Sequence, residues 1–169
     1  MPANLQQLRL LVVDDNPHML KIVRTILNAF GVMNVFESES AVEAIDIARN
    51  EAIDIVILDY QMEGMDGIEL VKRLRDEEQT SNPLIPIVML SAYSERSRVI
   101  AARDAGVNEF CCKPITAKDL FAKISAVIDR PRAYVRTKEF FGPDRRRHDP
   151  DKYKGPKRRS DDPSKTEAA

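Results

Sequence analysis

Short apolar runs alternate with segments of helical periodicity along the first 130 residues of the chain. An apolar, β-branched run bounded by turn-prone residues is typical of a buried strand, whereas apolar positions repeating every three or four residues indicate an amphipathic helix. The predicted strands cover residues 8–13, 32–37, 53–58, 87–90 and 109–112. The predicted helices cover residues 17–30, 41–48, 68–74, 94–105 and 116–128, and Ser40 is the expected cap of the second helix.

This regular alternation of strands and helices, with short connections between them, predicts the fold class. It is typical of α/β proteins in which helices cover both faces of a parallel sheet. Because crossovers between parallel strands are right-handed, we expect a doubly wound five-stranded parallel sheet with strand order 2-1-3-4-5, flanked by five helices. The carboxyl ends of the strands would then meet at one edge, where ligands bind in open α/β sheets.

Four of the predicted strands run into a polar or charged residue. These residues are Asp14 and Asp15 after the first strand, Asp59 after the third, Ser91 after the fourth and Lys113 after the fifth. Three neighbouring carboxylates repel one another unless they share a cation or one is protonated, and Mg²⁺ prefers oxygen ligands of this kind. A carboxylate beside a lysine and a hydroxyl is also suited to receive a phosphoryl group. Each residue taken alone is equally compatible with a solvated loop, but the set predicts a magnesium-dependent phosphoacceptor site.

The stretches LLVVDDN, VILDYQMEGMDG, IVMLSA and NEFCCKP carry a family resemblance. Over roughly residues 7–129 the chain resembles the receiver domain of bacterial two-component response regulators, which has the CheY-like fold. The resemblance implies that Asp59 is the phosphoacceptor and that Asp14 and Asp15 bind Mg²⁺ together with the Gln61 backbone carbonyl. It also implies that Lys113 is the phosphate partner. Ser91 would be the switch hydroxyl and Phe110 the switch aromatic. Many receivers have proline where this chain has Glu63, a departure that touches the loop after Asp59 and leaves the acceptor in place.

The same resemblance implies protein partners. A sensor histidine kinase or phosphotransfer protein would supply the phosphoryl group, and the face formed by the fourth helix, fifth strand and fifth helix would bind the target. The candidates to line this face are Ser97, Arg98, Ala101, Lys118 and Phe121. From its chemistry alone, Phe110 is equally compatible with a fixed core position, because a switch role requires two alternative rotamers.

The charge of the chain changes sign after residue 130. Residues 1–130 hold 14 basic and 20 acidic side chains, whereas residues 131–169 hold 12 basic and 7 acidic ones. The second segment has eight hydrophobic residues, which is too few for a core of its own, and it is too short for a folded DNA-binding effector domain. We therefore expect a receiver domain over residues 1–130, followed over residues 131–169 by an arginine-rich, mostly disordered tail that could fold on binding an anionic ligand.

Two similar units lie within that tail. FFGPDRRR, which starts at Phe140, and YKGPKRRSDD, which starts at Tyr153, share an aromatic residue, Gly-Pro, one further residue and an arginine cluster. The guanidinium fork of arginine pairs with phosphate or with guanine O6 and N7, and it stacks on planar groups. A nearby carboxylate such as Asp144 could orient an arginine or accept from a guanine edge. Cyclic di-GMP, which carries guanine bases and phosphates, would use all of these features.

The units also resemble the arginine-rich extension of the CheY-like cyclic di-GMP effectors of alphaproteobacteria, the Cle family. This resemblance implies capture of cyclic di-GMP by the tail, docking on a flagellar motor switch protein, and modulation of motility and surface attachment. The candidate ligand-binding residues are Arg132, Arg136, Phe141, Asp144, Arg145, Arg146, Arg147, Tyr153, Arg158 and Arg159. The residues themselves leave two alternatives open: an ordinary phosphorelay receiver whose basic tail tunes partner choice, and a less favoured tail that binds nucleic acid through phosphate contacts.

Several other classes of protein are disfavoured by the sequence. No second nucleophile or general base accompanies Asp59, so we expect a protein that is not an enzyme acting on a separate substrate. The N-terminus lacks a basic region before a long apolar run, and no segment reaches the length of a membrane span, so we expect a cytoplasmic protein without a membrane partner. The adjacent Cys111 and Cys112 should point to opposite faces of a strand, which predicts reduced thiols rather than a disulfide or a metal site.

Overall fold

The fold follows the predicted alternation of strands and helices. The computed structural model describes residues 5–92 and 95–145. The elements are a 3₁₀ helix (Leu5–Gln7), β1 (Arg9–Val13), α1 (Pro17–Ala29), β2 (Asn34–Ser38), α2 (Ala41–Asn50), β3 (Ile55–Asp59), α3 (Gly67–Leu74), β4 (Ile87–Ser91), α4 (Arg96–Ala105), β5 (Glu109–Cys112), α5 (Ala117–Asp129), β6 (Tyr134–Arg136) and β7 (Phe141–Pro143). The first five strands form one parallel sheet in the order β2-β1-β3-β4-β5, so the predicted sheet and its strand order are confirmed.

Two apolar layers hold the helices against this sheet. Alternate residues of a strand face opposite layers: Leu11 and Val13 of β1 pack with α2, α3 and α4, whereas Leu10 and Val12 pack with α1 and α5. β3 and β4 are buried along their whole length because helices cover both of their faces. The apolar runs that predicted these strands therefore also place their polar last residues at a single edge.

Polar caps fix where most of the helices begin. The side chains of Asn16, Ser40, Asp66 and Thr116 accept hydrogen bonds from backbone N–H groups in the first turns of α1, α2, α3 and α5. A cap of this kind contributes about 1 kcal/mol to stability. The caps also hold the loops that follow the strands, and these loops carry the polar residues of the sheet edge.

The two cysteines lie in the last two positions of β5. Cys111 is buried and Cys112 is exposed, as predicted for side chains on opposite faces of a strand, and both are free thiols. Burial raises the pKa of the Cys111 thiol. None of the helices in the described part of the chain is long and apolar enough to cross a membrane.

A small antiparallel hairpin follows α5 and was not predicted. β6 pairs with β7 from Tyr134 opposite Pro143 to Arg136 opposite Phe141. The Thr137 N–H donates to the Phe140 carbonyl over 2.7 Å, which closes the turn. The expectation of a mostly disordered tail over residues 131–169 therefore does not hold for residues 132–145. We name these residues the C-terminal hairpin. The predicted ligand-binding residues Arg146, Arg147, Tyr153, Arg158 and Arg159 lie outside the described residues.

Candidate functional site

Asp59 is the last residue of β3, the strand between β1 and β4. Its side chain is largely buried, with 6% of the residue exposed. A Cβ on Gly67, at the start of α3, would lie 2.4 Å from the Asp59 carbonyl oxygen, so only glycine allows α3 to approach this closely. The packing of α3 against the end of β3 thus fixes the backbone that carries the carboxylate.

Both carboxylate oxygens of Asp59 accept hydrogen bonds. The Gln61 backbone N–H donates to Oδ2 over 3.0 Å, and Lys113 Nζ lies 2.8 Å from Oδ1. The same ammonium lies 3.1 Å from Asp14 Oδ2, so Lys113 bridges carboxylates from two neighbouring strands. This arrangement brings together the ends of β1, β3 and β5, as the sequence predicted.

The electrostatic balance at this edge is set by burial and by Lys113. Burial raises the pKa of Asp59, and the nearby charge of Asp14 raises it further, while the hydrogen bond and charge of Lys113 act in the opposite direction. Burial alone would lower the pKa of Lys113, but its contacts with Asp59 and Asp14 outweigh burial and raise it. The ammonium therefore stays protonated beside a carboxylate for which ionisation is costly.

The two acidic residues after β1 are held by backbone N–H groups. The Asn16 N–H donates to Asp14 Oδ1 and the Glu63 N–H donates to Asp15 Oδ2, each over 2.9 Å. Proline at position 63, common among receivers, would lack the second of these donors. The loop after Asp59 therefore orients Asp15 through a backbone group that the sequence alone did not reveal.

A divalent cation fits between these carboxylates. One oxygen each from Asp14, Asp15 and Asp59 lies within 4.8 Å of the others. They line a cleft of about 240 Å³ together with Asn16, Met19, Tyr60, Gln61, Ser91, Ala92 and Lys113. Mg²⁺ is coordinated by a few carboxylates together with waters and phosphate oxygens. The donor set matches this preference.

Ser91 and Phe110, the two predicted switch residues, lie on neighbouring strands. Ser91 is the last residue of β4, is 1% exposed and lines the same cleft as Asp59. Phe110 lies on β5 opposite Met89 of β4 and is half-buried against the layer formed by α2, α3 and α4. The position of Ser91 suits contact with a group on Asp59, whereas the switch role of Phe110 stays a prediction.

The residues proposed to line the target-binding face have different surroundings. Ser97 on α4 and Lys118 on α5 are exposed. The guanidinium carbon of Arg98 lies 5.2 Å from the centre of the Tyr60 ring, which connects α4 to the residue after Asp59. The Phe121 ring lies 4.8 Å from the Phe30 ring, so this side chain contributes to the contact between α5 and α1.

The C-terminal hairpin lies at the opposite edge of the sheet, where β4 and β5 begin. The Tyr134 hydroxyl donates to the Asn108 side-chain oxygen over 3.3 Å, and Asn108 Nδ2 donates back over 3.2 Å. A Cβ on Gly142 would lie 2.8 Å from the Gly106 Cα, so the hairpin backbone reaches the end of α4 only because these positions carry no side chain. These contacts anchor the hairpin to the loop before β5 and to the end of α4.

Beneath Tyr134 lies a buried arginine that sequence reasoning missed. Arg75 is 6% exposed, and its guanidinium carbon lies 5.3 Å from the centre of the Tyr134 ring. It donates to the carbonyl oxygens of Pro83, Ile85 and Gly106 and to the side-chain oxygen of Asn108. Burial lowers the pKa of Arg75 to about 10, so it remains charged at neutral pH. In the sequence, Arg75 follows the charged end of α3 and gives no signal of burial.

The predicted ligand-binding residues that lie in the hairpin contact the rest of the protein or each other. Arg132, Arg136 and Arg145 pair with Glu109, Glu77 and Asp104. The guanidinium carbon of Arg136 lies 4.2 Å from the centre of the Phe141 ring. The Asp144 backbone N–H donates to the Ala133 carbonyl over 2.7 Å, and the Asp144 carbonyl accepts from Arg132. The structure thus brings five of the predicted ligand-binding residues together at the end of the molecule opposite Asp59: Arg132, Arg136, Phe141, Asp144 and Arg145.

Comparison with known proteins assigns the first part of the chain. Residues 10–125 match the family model of the response regulator receiver domain. The chemotaxis protein CheY-3 of Vibrio cholerae is 33% identical over 125 residues, which cover 74% of this chain and 95% of the relative. The CheY homologue of Campylobacter jejuni is 38% identical over 122 residues, which cover 72% of this chain and 92% of the relative.

Solved structures agree with this assignment. A CheY-like receiver domain protein from Methanospirillum hungatei superposes with a TM-score of 0.65 at 25% identity, over 72% of this chain and 94% of that one. Chemotaxis protein CheY4 of Vibrio cholerae gives the same TM-score at 26% identity, over 71% of this chain and 98% of its own. The acidic cluster, Ser91 and Lys113 lie together at the ends of the parallel strands, in agreement with this match. The chain belongs to the family of response regulator receiver domains.

Proposed function

We propose that this protein is a response regulator that accepts a phosphoryl group on Asp59 from a sensor histidine kinase or a phosphotransfer protein. The observation that carries the proposal is the contact between Asp59 and Lys113 in a cleft that also contains Asp14 and Asp15. A carboxylate oxygen of Asp59 attacks the phosphorus of a phosphohistidine, the P–N bond breaks, and the histidine nitrogen takes up a proton while an acyl phosphate forms. The step needs no general base on the receiver.

The residues around Asp59 have separate roles in this step. The Lys113 ammonium neutralises charge on the transferred oxygens, and the Ser91 hydroxyl donates to the product. Asp14, Asp15, Asp59 and the Gln61 carbonyl would hold Mg²⁺, which supplies further stabilisation of the phosphoryl oxygens when it is bound. Movement of Ser91 towards the product would open space for Phe110, which would carry the signal to the surface near β5.

Mass spectrometry of the full chain tests the acceptor. Incubation with acetyl phosphate and Mg²⁺ should add one phosphoryl group to the wild-type protein and none to Asp59→Asn. Asp46→Asn is the matched control, because Asp46 is an exposed aspartate on α2 and should leave phosphorylation unchanged. Phosphorylation of Asp59→Asn to the wild-type level would move the acceptor elsewhere and contradict the proposal.

The proposed function has a second part, which is the binding of cyclic di-GMP by residues after α5. Its support is the chemistry of the repeated aromatic, Gly-Pro and arginine units, since arginine forks match both guanine edges and phosphates. In the C-terminal hairpin, arginines already stack on phenylalanine rings, which is the type of contact that a guanine base would make. Binding of a guanine nucleotide is favoured over non-specific nucleic-acid binding because aromatic residues accompany both arginine clusters.

Calorimetric titration of cyclic di-GMP into the full chain tests this part, with GTP and single-stranded RNA as controls. The triple variant Arg146→Gln, Arg147→Gln, Arg158→Gln should lose binding. The matched control is the triple variant Lys152→Gln, Lys154→Gln, Lys157→Gln. It removes the same number of positive charges but no guanidinium fork, so it should weaken binding only modestly. Equal losses in both variants, or equal binding of RNA, would indicate a purely electrostatic tail.

The proposed target is a flagellar motor switch protein that binds the face formed by α4, β5 and α5. The support is the similarity to proteins named for chemotaxis, together with the exposed residues on that face. Lys118→Glu on α5 should reduce binding to a purified motor switch protein, whereas Lys21→Glu on α1 should leave it unchanged. A stronger loss with Lys21→Glu would place the docking face on α1 and contradict the proposal.

A further inference from the structure

The arginines of the C-terminal hairpin are paired with carboxylates of the receiver domain. Arg132 Nη2 lies 3.8 Å from Glu109 Oε1 on β5, and Arg145 Nη1 lies 3.4 Å from Asp104 Oδ1 on α4. Arg136 pairs with Glu77, which follows α3. An acidic receiver surface and a basic segment thus meet in pairs, and the guanidinium groups proposed to bind an anionic nucleotide are already engaged.

The aromatic rings of the hairpin are engaged as well. Arg136 lies over Phe141 and Arg145 lies over Phe140, with their guanidinium carbons 4.2 and 4.0 Å from the ring centres. A base that stacks on the covered face of either ring must displace the arginine there, and an arginine that turns towards a phosphate must leave its carboxylate. Capture of a nucleotide is therefore an exchange of partners, not an addition to free groups.

The three pairs differ in how readily they exchange. Arg132 and Glu109 are the least exposed pair, with 20% and 12% of their side chains accessible. Half of the Arg136 side chain and 63% of the Glu77 side chain are accessible, and for Arg145 and Asp104 the values are 30% and 42%. Exposed pairs contribute little to stability because water and salt compete with them. Exchange should therefore begin at Arg136 and Arg145, while Arg132 remains paired with Glu109.

We propose that Glu77 and Asp104 act as intramolecular competitors of the nucleotide, so that the receiver domain sets the affinity of the hairpin for an anionic guanine nucleotide. This inference rests on the proposed binding of cyclic di-GMP. In the ligand-free protein the carboxylates hold Arg136 and Arg145 against the receiver, and the nucleotide phosphates replace them on binding. Because binding and release are linked, a change at α4 that moves Asp104 also changes ligand affinity.

Calorimetric titration of cyclic di-GMP into the full chain tests the proposal with neutral isosteres. Glu77→Gln and Asp104→Asn each remove a competing charge, and each should tighten binding by about threefold, which is the effect expected of an exposed ion pair. Together they should tighten it by roughly tenfold if the two pairs act independently. Amide hydrogen exchange without ligand provides a second readout, and exchange at hairpin amides should be faster in the double variant than in the wild type.

The matched control is Glu69→Gln with Asp46→Asn, which removes the same net charge from α3 and α2. Glu69 pairs with Arg73, and Asp46 is exposed, so this variant should leave both the affinity and the hairpin amides unchanged. Wild-type binding with no gain in the Glu77 and Asp104 variants, or an equal gain in the control, would overturn the competition. Absence of binding by every variant would overturn the proposed ligand and the competition with it.

Discussion

The two edges of the sheet each bury charge, and they do so in opposite ways. At the carboxyl edge, Asp14 and Asp59 share one ammonium, each accepts one further backbone N–H, and both carboxylates border an open cleft. At the amino edge, Arg75 donates to four oxygens and is covered by Tyr134. A buried charge whose contacts are incomplete is ready to exchange ligands, whereas one whose donors are satisfied by backbone carbonyls holds structure together. The first edge is suited to chemistry and the second to anchoring.

The largest effect is expected where the anchoring edge is broken. Arg75→Ala removes the side-chain donor to the carbonyls of Pro83 and Gly106 and one of two donors to the Ile85 carbonyl, and each buried unpaired group costs about 1 kcal/mol or more. Urea denaturation should show a loss of about 4 kcal/mol in the free energy of unfolding. Arg73→Ala, two residues earlier in the last turn of α3, removes an exposed arginine and should change stability by less than about 0.5 kcal/mol. Similar losses in both variants would mean that Arg75 is not a structural cation.

A smaller effect is expected from the loop that orients Asp15 at the other edge. Glu63→Pro removes the N–H that donates to Asp15 Oδ2, and loss of a group that orients a metal ligand should weaken Mg²⁺ binding about tenfold. Glu63→Ala keeps the N–H and should bind Mg²⁺ as the wild type does. Isothermal titration with Mg²⁺ measures both. Equal weakening in the two variants would assign the effect to the Glu63 side chain and not to its backbone.

The smallest effect concerns the cost of ionising Asp59. Because burial raises its pKa in the folded chain, the stability that comes from proton binding is present at low pH and is lost as pH rises through that folded pKa. Without metal, Asp59→Asn should therefore be more stable than the wild type by about 1 kcal/mol at neutral pH. The difference should shrink as pH falls towards the ordinary pKa of aspartate, as measured by urea denaturation with a chelator. A difference that grows on acidification would reverse the sign of the argument.

The sequence predicted the carboxyl edge well because its signals are local. Each apolar run marks a strand, and the residue that follows it, such as Asp59 or Lys113, reaches the edge whatever the details of packing. The Glu63 N–H could not be predicted as a donor, because backbone direction in a loop depends on tertiary contacts. The roles of Gln61 and Phe110 rest on resemblance, since no pattern in the sequence distinguishes a switch aromatic from a core aromatic.

The amino edge was not predicted because its signals are distributed along the chain. β6 and β7 have three residues each, and neither YVR nor FGP shows the alternation that marks a strand. An isolated hairpin of this size is marginal in water, so its formation depends on contacts with the receiver, including that between Tyr134 and Asn108. Aromatic residues and Gly-Pro in a charged segment are the available signal, and this pattern favours ligand binding over a hairpin.

The position of Tyr134 after α5 has a consequence for biosynthesis. The ribosome synthesises the sheet and its helices before the segment that covers Arg75, so in a receiver that folds during synthesis this guanidinium would be open to water on one side until Tyr134 packs on it. The last increment of stability is added only after residue 145 has left the exit tunnel. A chain that terminates early at α5 would therefore carry the complete acidic cleft on a weakened scaffold, and we expect cellular proteases to degrade it faster than the full chain.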